Sequence, residues 1–85
     1  MSLRDQMFDF LATRATAYRR VFAGPNADVV LRDLAKFCRA GKSTFHPDPH
    51  IAARLDGRRE VWLRVQDHVH LSNDQLMKLY GGTDG

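Results

Sequence analysis

Four histidines, a single cysteine and 13 Lys/Arg are the residues of this 85-residue chain best equipped for chemistry. His46 and His50 bracket Asp48, and His68 and His70 are separated by one residue. A zinc ion needs ligands that share a face, as two histidines four apart on a helix do. Residues two apart on a helix point to different faces. Pro47 and Pro49 explain the His46–His50 stretch as a rigid connector. The expectation is therefore no metal site, with the histidines at the surface or in loops. Cys38 alone excludes an internal disulfide and any multi-cysteine zinc site, and its place on an apolar helical stripe suits a small buried hydrophobe. Gly41-Lys42-Ser43-Thr44 echoes the end of a phosphate loop, but it lacks the upstream glycine and follows no strand, so it is read as a chance match. With no nucleophile–base constellation, the chain is expected to be neither an enzyme nor a cofactor binder.

The basic residues are unevenly placed. Residues 1–31 carry a net +1, residues 32–64 a net +4 and residues 65–85 a net −2. Arg32, Lys36 and Arg39 share one face of a helix at i, i+4 and i+7, and Arg54, Arg58 and Arg59 follow in the next helical segment. Such a group meets phosphate or an acidic protein partner where it is not simply a solvated helix face. No helix-turn-helix or other nucleic-acid module accompanies it.

Positioning these residues falls to four segments with helical periodicity, separated at Gly24-Pro25, Gly41 to Pro49, Leu71-Ser72 and Gly81-Gly82. No stretch alternates apolar and polar residues long enough for a sheet, so the fold is read as all-α: a small bundle of three main helices plus a short C-terminal one. A single domain over 1–80 and a flexible tail over 81–85 are expected. The first helix should span Ser2 to Phe22, capped by Ser2. The second should run from Pro25 or Asn26 to a left-handed cap at Gly41, with Ala27, Val30, Leu31, Leu34, Phe37 and Cys38 inward. Phe45 should anchor the following loop on the core. The third helix should start behind an Asp48 cap and reach His70, burying Ile51, Leu55, Val61, Trp62, Val65 and Val69, with Gly57 at a close helix contact. Ser72-Asn73-Asp74-Gln75 spells a capping box for a last helix to Tyr80, with Leu71 and Leu76 as its staple.

Arg14 and Arg58 sit within apolar arcs, where an arginine needs a partner, and Asp33, Asp48, Asp56 and Glu60 are the carboxylates considered for them. The apolar arc of the first helix is wide for so small a domain. Met7, Phe8, Phe10 and Leu11 are therefore expected to meet a protein partner or a second copy of the chain. No window approaches a membrane span, and the acidic N-terminus lacks a signal-peptide pattern, so an intracellular, membrane-free protein is expected.

In order along the chain, Tyr18-Arg19-Arg20-Val21-Phe22, Val30-Leu31-Arg32-Asp33-Leu34, Phe45-His46-Pro47-Asp48-Pro49-His50 and Gly57-Arg58-Arg59-Glu60-Val61-Trp62-Leu63 resemble a family of small tailed-phage and prophage proteins of uncharacterised function. The resemblance covers about residues 17 to 66 and leaves the N-terminal helix and Leu71–Tyr80 outside. Such proteins tend to be encoded near virion structure and assembly genes. The resemblance implies a small structural or assembly protein that docks onto a larger virion or assembly protein, in the host cytoplasm during assembly or in the virion. The alternative is a nucleic-acid-associated packaging or regulatory factor using the basic helix surface.

Overall fold

A computed structural model describes residues 1–82 of the chain. Four helices follow in order, α1 (Leu3–Val21), α2 (Pro25–Phe37), α3 (Pro49–His70) and α4 (Asn73–Tyr80), and the described residues contain no strand. The all-α reading is met. Of the tail expected over 81–85, residues 83–85 lie outside the described residues, and Gly81 caps α4 by donating its N–H to Met77 O at 2.8 Å.

The helix starts follow local chemistry. Ser2 Oγ accepts from Asp5 N at 3.1 Å, and the Asp48 carboxylate accepts from His50 N at 2.8 Å with Pro49 in the first turn. Ser72 and Gln75 close the capping box in both directions, at 3.1 Å and 2.9 Å, above a fully buried Leu76.

The end of α2 departs from expectation. The helix stops at Phe37, and the left-handed residue is Arg39, with φ 54°, rather than Gly41. Ala40 N donates to Ala35 O at 2.9 Å and Arg39 N to Lys36 O at 3.2 Å, which together make a Schellman motif with an arginine where glycine is usual. Arg59, reaching from α3, donates through one Nη to Lys42 O at 3.0 Å and Arg39 O at 3.5 Å. That tether fixes the chain as it leaves the helix, so α2 ends where its carbonyls find donors.

α1 packs on α3 and α4, while α2 packs chiefly on α3. The Cα extents are 49 × 33 × 14 Å and the radius of gyration is 15.1 Å, against about 12 Å for a compact chain of this length. A slab this thin covers little of each helix. Leu11, Ala15, Ala27, Cys38, Leu55, Val65 and Leu76 are buried, together with one polar residue, His68. Several residues assigned to the core are consequently outside it. Val30 and Phe37 are exposed, because α2 lies chiefly against one neighbour and cannot bury its whole stripe, and Val61 of α3 is exposed as well. Trp62 is half-buried. Phe45 is 79% exposed and does not anchor its loop. Gly57 has nothing within 4 Å of where a Cβ would stand, so it serves no close helix contact.

Candidate functional site

Three features of the surface and the half-buried interior could carry function. The first is the outer face of α1. At 100° per residue, Leu3, Phe10, Ala17 and Val21 fall within about 40° of one another. Leu3 is 84%, Phe10 59% and Val21 70% exposed. The buried face of the helix is set by Leu11 and Ala15, and Met7 and Arg14, both half-buried, lie between it and the stripe. The arc anticipated for a partner is thus divided. Phe10 is on the surface, and Met7 and Phe8 are half-buried, with Phe8 lining a hollow beside Met77 of α4. Leu11, 2% exposed, belongs to the core and cannot meet a partner. Leu3 and Val21 take its place on the uncovered face.

The second feature is a cleft of about 690 Å³ where the α2 terminus, its following turn and α3 meet. Lys36, Arg39, Lys42 and Arg58 line it together with Ala35, Phe37, Ala40 and Leu55, and no carboxylate is among the lining residues. Of the basic residues anticipated as contacts, Lys36, Arg39 and Arg58 line this cleft. Arg59 holds its rim through the carbonyls of Arg39 and Lys42, while Arg32 and Arg54 are exposed outside it. Arg58 does not pair with a carboxylate as anticipated. Its guanidinium lies over the Phe37 ring, 4.2 Å from the centroid. Lys42 was not singled out by periodicity, because it reaches the cleft only through the turn that Arg39 makes, and Phe37, placed inward by its periodicity, faces solvent here instead.

The third feature is internal, and it overturns the expectation that the histidines lie at the surface. His68 is fully buried. Arg14 Nε donates to His68 Nε2 at 2.9 Å, and His68 Nδ1 lies 2.8 Å from Arg64 O. Since an arginine Nε always carries its proton, the imidazole accepts at Nε2 and donates from Nδ1; it is the neutral ring that fits. Tyr18 stacks on one side at 4.5 Å between centroids and Tyr80 on the other at 5.2 Å. Tyr80 in turn donates to Asp67 Oδ2 at 2.9 Å. Burial pushes the His68 pKa below the usual 6.5, and the Arg14 and Arg64 cations push it the same way. Burial likewise lowers Arg14 and raises Tyr80, the latter helped by the hydrogen bond to Asp67.

Arg14 therefore has an imidazole acceptor and the faces of Phe10 and Tyr80, each 5.4 Å from its guanidinium carbon, in place of the anticipated carboxylate. One of its Nη atoms is buried without a partner among the described residues. The signal in the sequence was an arginine on an apolar arc. What that signal lacked was the neutral imidazole as a class of acceptor. Among the described residues no three His, Cys, Asp or Glu side chains gather as a metal site would require, and His46 Nδ1 accepts from Asp48 N at 3.0 Å within its own turn.

A family model for Bbp19-like phage proteins matches residues 18–80, about three-quarters of the chain. The chain belongs to the Bbp19-like phage protein family. No curated protein and no solved structure matches it. The match runs further than the motifs from Tyr18 to Leu63 indicated, since α4, expected to lie outside, falls within it. The family region thus holds Tyr18, His68, Asp67 and Tyr80, together with the whole basic cleft. Arg14, Phe10 and the rest of the N-terminal four-fifths of α1 precede it. Among the described residues no helix is long and apolar enough to cross a membrane.

Proposed function

We propose that this Bbp19-like protein is a small structural or assembly component of a phage particle that docks onto a larger virion or assembly protein, without catalysis or a cofactor. Docking takes place in the host cytoplasm during assembly. The observation that carries the reading is the uncovered stripe of Leu3, Phe10 and Val21 on α1, which runs the length of a helix otherwise held by α3 and α4. Large apolar residues aligned on one helix face are the chemistry of interface cores, and family membership supplies the phage setting. Phe10 and Val21 are exposed, so changing them to serine leaves the fold intact, at a cost of about 0.5–1 kcal/mol for Phe10, whose ring also takes the Arg14 guanidinium.

The test measures the abundance of Phe10→Ser and Val21→Ser variants in purified particles and assembly intermediates by mass spectrometry, beside the chemical melt of each isolated variant. The expected result is lost incorporation with an unchanged melt for Val21→Ser and a loss of no more than about 1 kcal/mol for Phe10→Ser. Incorporation equal to wild type, or falling only in step with stability, overturns the reading. A concentration-dependent mass in solution that Phe10→Ser abolishes would instead make the stripe a self-association surface.

A further inference from the structure

The cleft at the end of α2 has a chemistry of its own, separate from the α1 stripe. Four cations, Lys36, Arg39, Lys42 and Arg58, surround a floor of Ala35, Ala40, Leu55 and Phe37, and no carboxylate lines it. We propose that this cleft binds an acidic segment of a partner protein, one in which carboxylates alternate with apolar side chains. The charge balance calls for an anion, and the apolar floor calls for more than one. A phosphate chain has nothing to set against Leu55 and the alanines.

The aromatic ring argues for protein over nucleic acid. Phe37 is 56% exposed, which would suit a stacking base, but Arg58 lies across one face of it at 4.2 Å. The stacked guanidinium keeps its N–H edge free to fork onto a carboxylate, a geometry that arginine on an aromatic face favours. Arg39 adds an unmet demand: its Nε is buried without a hydrogen-bond partner among the described residues. That atom has no accessible surface, so a carboxylate meets the charge of this guanidinium rather than the Nε itself. Arg59 is a positioning residue, since it holds the carbonyls of Arg39 and Lys42 and thereby the turn that carries both cations to the cleft.

The experiment uses the full chain and three labelled probes followed by fluorescence anisotropy at physiological salt. They are a 12-residue peptide alternating Glu or Asp with Leu, its Gln/Asn counterpart, and a 12-nucleotide oligo-dT. The acidic peptide is expected to bind at least tenfold tighter than either of the others. Lys36→Glu with Lys42→Glu, both exposed positions, should weaken it at least tenfold while leaving the melt unchanged. Amide shifts on titration should centre on Lys36–Lys42 and Arg58. Equal binding of the amide peptide, tighter binding of the oligonucleotide, or indifference to the double substitution each overturns the proposal. Phe10→Ser should leave peptide binding untouched, so failure here is distinguishable from failure of the α1 docking surface.

Discussion

Replacing His68 by Phe isolates what the buried imidazole does for Arg14. Phenylalanine keeps an aromatic ring between Tyr18 and Tyr80 but offers no acceptor at the position of Nε2 and no donor at Nδ1. Losing a hydrogen bond to a charged group costs about 1.5–3 kcal/mol, and losing the neutral bond to Arg64 O costs up to about 1 kcal/mol more. Because Arg14 is half-buried and regains some hydration, a total of about 2–3 kcal/mol is expected. A domain of this length is stable by roughly 4–13 kcal/mol, so the variant folds and its loss is readable in a urea melt. Arg14→Met leaves the opposite defect, an unpaired acceptor on His68. The double variant removes both halves of the pair and should be less destabilised than the sum of the singles by about 1–2 kcal/mol. The pH dependence supplies an independent check. The folded His68 pKa lies below 6.5, so on acidification the unfolded chain takes up this proton first. This contribution to stability is complete above 6.5 and declines as pH falls from there through the folded value. His68→Phe should lack that decline. Additive singles, a His68→Phe melt within about 0.5 kcal/mol of wild type, or an unchanged pH profile would refute the assignment of His68 as the acceptor of Arg14.

Gly57→Ala should stabilise the protein by about 0.5–1 kcal/mol in a thermal melt, because the added methyl meets no neighbour and α3 gains helix propensity. Arg39→Gly should raise stability by a similar amount, of order 1 kcal/mol, by relieving a left-handed arginine, while weakening binding of the acidic peptide; loss of both would show that the side chain is a packing element. Leu76→Ala, at a fully buried position, should cost about 2–5 kcal/mol in a chemical melt, and Trp62→Ala less than the 3–5 kcal/mol of a fully buried tryptophan. The reverse order would place the core around Trp62.

Amino-acid sequence alone determined the features that depend on neighbours within a turn or two. Ser2, Asp48 and the Ser72–Gln75 box mark helix starts because a short polar side chain can reach orphan backbone N–H groups only from that position. The apolar period makes the helices, and the ordered motifs from Tyr18 to Leu63 carry the family. Tertiary structure decided which part of each apolar stripe is covered. A stripe records what can be buried, whereas burial depends on how many helices lie against it. With α2 resting chiefly on α3 alone, Phe37 stays exposed; with α1 held between α3 and α4, Leu11 is buried and Phe10 is not. The same holds for charge. Arg39 and Lys42 enter one cleft because Arg59, 20 and 17 residues further along the chain, holds the turn between them. Arg14 finds its acceptor 54 residues away in His68. Local rules are blind to contacts at that separation, because the free energy that selects them comes from desolvating the whole cluster together and not from any residue's neighbours in the chain.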